Sequence, residues 1–311
     1  MKKNISFIKL YLIIGLFLFL LISCDNNSPT VPKLENPEDT TYNISYEDSI
    51  LFFSSNPPQQ LNTLCIGHIN GTGIRSLTSN IVAHNATWAP NKRKLLFIGS
   101  PIGASNWGIY QIEVCDYKVK LIPTEETNCE SAAYSPDMKY IVYSLYHSTN
   151  SSTLKLYNVK TKVITILLEN IPGYFSTLSW STDSKKVLLH EGVTINIETK
   201  ELERLFQYGH AVNSPKWSPD GSKVLFSSGT PQSSSNIIVY DLVTNEFHPV
   251  YETEDLQNDA SWSKDNSQII FSMSPSSSLD TSYISKVNID GTDYQRITNT
   301  TFNTSGPCWY R

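Results

Sequence analysis

The chain is poor in charge, cysteine and methionine. Of its 311 residues 17% are charged and 40% hydrophobic, and it holds five cysteines and three methionines. The net charge is −5 and no extended basic run occurs, which argues against a nucleic-acid partner. There is no Gly-x-Ser-x-Gly, so the strand-turn-helix nucleophile of an α/β-hydrolase is missing. No His-Glu-x-x-His occurs either, because His190-Glu191 runs on into Gly192-Val193-Thr194. The cysteine spacing matches no zinc pattern, and no cofactor or metal is expected. What is plentiful is serine, threonine and asparagine, the composition of strands and turns rather than of helical bundles.

One hydrophobic run stands apart. Lys2, Lys3 and Lys9 precede an apolar stretch from Leu10 to Ile22 that spans roughly 20 Å as a helix, short of the roughly 30 Å hydrocarbon core of a bilayer. Residues 1–23 therefore read as a secretory leader, and Leu21-Ile22-Ser23-Cys24 resembles a bacterial lipobox with Cys24 as the lipidation site. An uncleaved anchor and an ordinary signal peptide are the alternatives. Losing the leader removes three lysines and no acids, so Lys+Arg falls from 24 to 21 against 29 Asp+Glu, a net −8. Residues 24–41 follow as a tether, rich in proline and acids and nearly free of apolar residues. The expected location is the bacterial envelope, lipid-anchored, with the outer membrane or periplasmic face favoured over the cytoplasm. Cys65, Cys115 and Cys308 fall in expected strands and Cys129 outside them; isolated buried thiols and a disulfide are both open.

From residue 42 to 311 one phrase recurs, clearest in Trp217-Ser218-Pro219-Asp220-Gly221. Its aromatic heads are Tyr46, Trp88, Tyr134, Trp180, Trp217, Trp262 and Trp309, at gaps of 42, 46, 46, 37, 45 and 47 residues. Pro219 presets the first turn position, Asp220 suits the second, and Gly221 can take the left-handed conformation that closes a short hairpin; Met138 in the same slot is expected to be strained. Each turn leads into a short apolar run such as Leu95–Ile98 or Ile269–Phe271, then into third and fourth strands. The first strand occurs up to seven times and the others six. This predicts an all-β, six-bladed propeller of four-stranded antiparallel blades, closed by the C-terminal strand 305–309 joining the first blade. The alternative closure places Tyr42–Tyr46 there instead. The head aromatics read as blade-to-blade core rather than as a sugar-stacking platform.

The repeat resembles that of the TolB-type propeller family, whose phrase is a Trp-Ser-Pro-Asp-Gly turn, an Ile/Val-x-Phe strand and a later Asp-Gly ending on Leu/Ile-Thr. This chain carries that ending in 70–78 and in 290–298. The resemblance implies a propeller that serves as a protein-binding module, a polysaccharide-active domain or a peptidase lid. TolB itself has a further domain before its propeller, for which the 25–41 segment is too short.

In a propeller the first strands of the blades ring a central channel. Four positions before each head stand His84, Glu130, Ser176, Asn213, Asn258 and Ser305; two before stand Ala86, Ala132, Leu178, Pro215, Ala260 and Pro307. Equal parity would stack a polar ring over a small apolar one at one mouth. These six polar residues are the candidate binding site. The bland alternative is that they only hydrate the channel. No residue is assigned a catalytic role; His84 and Glu130 are the pair that a lyase- or hydrolase-like activity on polysaccharide would use. The expected function is a binding module for an envelope protein or glycan, acting as a monomer, with no nucleic acid.

Overall fold

A computed structural model describes residues 49–56, 61–124, 126–148, 151–173, 175–229, 235–276, 281–298 and 303–309. The leader, Cys24, the tether and residues 42–46, including Tyr46, lie outside them.

The described residues form six four-stranded antiparallel sheets. The apolar runs after each turn become the second strands, and their side chains are buried on both faces because every blade is sandwiched between two others. Leu95 to Ile98, Val224 and Ile269 to Phe271 are all at most 1% exposed. At about 1.5–3 kcal/mol for each large apolar side chain removed from water, these strands supply most of the cohesion between blades.

The six first strands are Asn303–Trp309 in blade 1, Ile81–Trp88 in blade 2, Cys129–Tyr134 in blade 3, Ser179–Trp180 in blade 4, Asn213–Trp217 in blade 5 and Leu256–Trp262 in blade 6. Each touches the first strand of the next blade, and the sixth touches the C-terminal one, which touches that of blade 2. The circle is thus closed as expected: Asn303–Trp309 pairs with Ser49–Asn56, matching Ile50 to Trp309 and Leu51 to Cys308. Side-chain bonds stitch this last strand to blade 6. Ser282 donates to the Thr304 carbonyl at 3.0 Å, and the Gly306 N–H donates to Ser272 Oγ at 3.0 Å.

The repeated phrase acts as a unit. Ser218 Oγ donates to Asp220 at 2.6 Å and accepts the Lys223 N–H at 2.9 Å, while Asp220 also accepts the Ser222 N–H at 3.0 Å. The same three bonds recur around Ser135, Ser181 and Ser263. The slot four after each head is left-handed throughout: Lys92, Met138, Ser184, Gly221 and Asn266 have φ of 61, 62, 62, 76 and 63°. Only Gly221 adopts it without a Cβ penalty; the side-chain network holds Met138, Ser184 and Asn266 there, and at Lys92 only Asn91 Oδ1, accepting the Arg93 N–H at 3.0 Å, takes the aspartate's part. The described heads are at most 8% exposed. Trp180 and Trp262 donate through Nε1 to the Ala133 and Lys216 carbonyls of the preceding blade at 3.1 and 3.3 Å. They are blade-to-blade core, as expected.

The cysteines depart from expectation in two places. Cys129 opens a strand, and Cys115 sits in the turn after Gly108–Glu113. Cys65, Cys129 and Cys308 are buried free thiols. Burial and the nearby Glu126 push Cys129 up to about 12.

Candidate functional site at the channel mouths

The first strands end in two different ways. Where they begin, five of them slip: four at one repeat position, between His84 and Thr87, Asn213 and Lys216, Asn258 and Ser261, and Cys308 and Ser305, and blade 3 earlier, between Cys129 and Ser131. The residue three before the head then turns left-handed: Asn85, Ser214, Asp259 and Gly306 have φ of 51, 49, 53 and 60°. A bulge adds one residue and swaps the faces of what precedes it, so the parity that would stack the two rings does not hold here.

The polar mouth encloses a cavity of about 150 Å³. His84, Ser176 and Ser305 line it, with Ala86, Leu178 and Pro307; Glu130, Asn213 and Asn258 do not. In their place stand residues three before the heads, Asn85, Ser131, Thr177, Asp259 and Gly306, together with Lys216. Asn, Asp and Gly recurring at one repeat position are the types that tolerate positive φ, and that recurrence was the available signal for a bulge.

Glu130 is 4% exposed. Its carboxylate accepts the Phe175 N–H at 3.4 Å, and burial raises it to about 7. Asn85 Nδ2 donates to the Glu130 carbonyl, tying the bulge of blade 2 to blade 3. His84 packs its ring on Trp107 with centroids 4.7 Å apart, and burial lowers it to about 4, so it is neutral at pH 7. Among the described residues no hydrogen bond or ion pair joins His84 to Glu130, and His84 lines the cavity while Glu130 does not. Ser176 Oγ lies 3.1 Å from Ser214 Oγ. Asn213 and Asn258 are exposed.

Asp259 and Lys216 supply opposite charge within the channel. Burial raises Asp259, and the attraction of Lys216 offsets this only in part. Asp259 lines the cavity and is half-buried, so its carboxyl can meet an incoming donor.

Toward the turns lies a larger cavity of about 350 Å³. Its wall is the residue before each head, Thr87, Ala133, Ser179, Lys216, Ser261 and Cys308, and its rim carries Pro90, Pro136 and Pro219 beside the tryptophan edges. Thr87, Thr177, Leu178 and Lys216 line both cavities, which places Lys216 at the waist of the channel. Sequence reasoning did not single out this second mouth. Among the described residues no three His, Cys, Asp or Glu side chains converge as metal ligands, and no helix is long and apolar enough to cross a membrane.

Six blades around an open channel define the class as a six-bladed β-propeller. Residues 102–310 match the model of the TolB beta propeller domain, and the chain belongs to that family. No curated protein matches it by sequence. Among solved structures it is similar to TolB from Acinetobacter baumannii, with 14% identity, a TM-score of 0.72, and coverage of 86% of this chain and 67% of that one. It is similar to a putative TolB from Agrobacterium tumefaciens, with 17% identity, a TM-score of 0.65, and coverage of 83% and 90%. An oligogalacturonate lyase in complex with manganese has 13% identity, a TM-score of 0.57, and coverage of 82% and 75%. At such identities the likeness is one of fold.

Proposed function

We propose that this protein is an envelope lipoprotein whose propeller is a binding module for another protein, engaged at the bulged mouth. The observation that carries the reading is the coincidence of four bulges on one rim. The bulges turn Asn85, Ser214 and Asp259 left-handed and re-aim the side chains of this rim, a device over-represented beside functional sites. Serine, threonine and asparagine groups there, with Asp259 and Lys216, offer donors and acceptors to a peptide backbone. Membership of the TolB propeller family supports the protein-binding class. The leader at 1–23, acylation at Cys24 and a tether to residue 41 rest on the sequence, and they place the module on a membrane of the bacterial envelope.

The test is an affinity capture from solubilised envelope with the wild type and with Asn85→Ala/Asp259→Asn. Both should unfold cooperatively, the variant at a slightly lower temperature, and the variant should lose the captured protein. An unchanged captured set overturns the reading, and elution by oligosaccharide instead of by peptide assigns the mouth to glycan. Mass spectrometry of the membrane-extracted protein tests the anchor separately, by the presence of a diacylated Cys24 at the mature N-terminus.

A further inference from the structure

Strand direction decides at which end of the ring the N-terminal segment joins it. Each first strand runs from the bulged mouth toward the turns, so each second strand starts at the turn end. Ser49–Asn56 is the second strand of blade 1, and Ile50 lies opposite Trp309, the head at the turn end. The chain that follows Cys24 therefore enters the ring at the turn end, on a blade that packs against blade 2. The tether expected over 24–41 spans on average roughly 20–25 Å. An eight-residue strand is about 26 Å long, so an anchored ring is held near the bilayer by its turn end, with the bulged mouth a strand's length further out.

Charge is sorted along the same axis. The first-to-second and third-to-fourth hairpins of every blade lie at the turn end; in blades 2 and 3 they are residues 89–93, 114–118, 135–139 and 159–163, the last between Ser151–Asn158 and Ile164–Ile171. They hold Lys92, Arg93, Lys118, Lys139, Lys160 and Lys162 against Asp116 and Asp137, six bases to two acids, a net +4. Lys118, Lys139, Lys160 and Lys162 are exposed. Among the described residues the connections at the other end carry Glu126, Glu191, Glu252, Glu254 and Asp255, and no lysine or arginine. We propose that the protein rests on anionic lipid through the turn end of blades 2 and 3, which points the bulged mouth away from the bilayer toward its partner. This rests on the lipid anchor proposed above. Roughly four to eight bases gathered on one surface hold it to anionic headgroups over about a Debye length, and the same field repels the acidic end. At the turn end of blades 4 to 6 acids outnumber bases, so the ring leans onto blades 2 and 3, beside the blade where the chain enters.

The test is energy transfer in vesicles of phosphatidylcholine, alone or with about 30% phosphatidylglycerol, carrying the membrane-extracted full-length protein and a headgroup-labelled acceptor lipid. A fluorescent non-canonical residue replaces Thr161 at the turn end of blade 3 or Ser105 at the other end of blade 2; both positions are exposed. On the anionic vesicles transfer from position 161 should exceed that from 105 at least about twofold, and added salt should shrink the excess. Lys118→Glu/Lys160→Glu, which cancels the net +4 at two exposed sites and so leaves folding intact, should do the same. Equal transfer from the two positions overturns the proposal while the anchor stands. So does an excess that is as large on phosphatidylcholine alone, or that neither salt nor the double variant reduces. A protein that does not float with phosphatidylcholine vesicles overturns the anchor itself, and the proposal with it.

Discussion

The two ends of the six inner strands are built on opposite plans. At the turn end the backbone repeats with little variation: a buried aromatic and a left-handed closing residue in blades 2 to 6, with a serine–aspartate pair in blades 3 to 6. At the other end four blades bulge at one repeat position and blade 3 at an earlier one, and the side chains differ from blade to blade. Repetition at one end means the interactions there serve the ring. Divergence at the other end, where bulges re-aim side chains that differ from blade to blade, supports the reading proposed above for that mouth.

The contrast can be broken most severely by opening the ring. Deleting residues 304–311 removes the strand paired with Ser49–Asn56 and exposes Ile50, Leu51 and Phe52. The truncated protein should lose its cooperative thermal transition and aggregate; an unchanged melt would mean that another segment seals blade 1. Next comes Trp262→Ala at the regular end, where a fully buried indole bonds to the neighbouring blade. A loss of about 3–5 kcal/mol is expected in denaturant unfolding. Asn85→Ala, at the bulged end, should cost under about 1 kcal/mol by the same measurement.

Glu130 sharpens the comparison through pH. A carboxyl raised on folding from its ordinary 4.5 to about 7 is protonated more readily in the native state, so its contribution is full at low pH and is lost as pH rises between those values. Glu130→Gln should flatten that part of the stability profile and be the more stable form at pH 8 by roughly 2–3 kcal/mol, read from urea unfolding at pH 5 and pH 8. An identical pH profile in the variant would mean Glu130 stays ionised in the fold. The smallest effect is expected at Met138, left-handed in a turn where another blade has Gly221. Met138→Gly should stabilise by about 0.5–1 kcal/mol, seen as a small upward shift of the melting temperature.

The regular end was legible in the sequence for the reason that it is regular. Trp217-Ser218-Pro219-Asp220-Gly221 states the turn chemistry outright, and six echoes of it fixed the blade count and the closing strand. The bulged mouth was legible only in part. His84, Ser176 and Ser305 reach the cavity, but Glu130, Asn213 and Asn258 do not, because counting by two along a strand assumes an unbroken pleat. Asn85, Asp259 and Gly306 at one repeat position were the visible trace of the break. Lys216 was hidden differently: one residue before a head aromatic, it reads as a surface lysine until the ring is closed around it. The long edge of blade 3 has its trace in the apolar run 163–168, interrupted only by Thr165.

Site-specific photo-crosslinking in whole cells bears most directly on the claim that the bulged mouth is the recognition surface. A photoreactive residue at Ser305, on the bulged rim, should trap a discrete protein adduct, while one at Thr182, on the turn-side rim, should trap none. Adducts at Thr182 with none at Ser305 would contradict the account and move the binding surface to the opposite mouth.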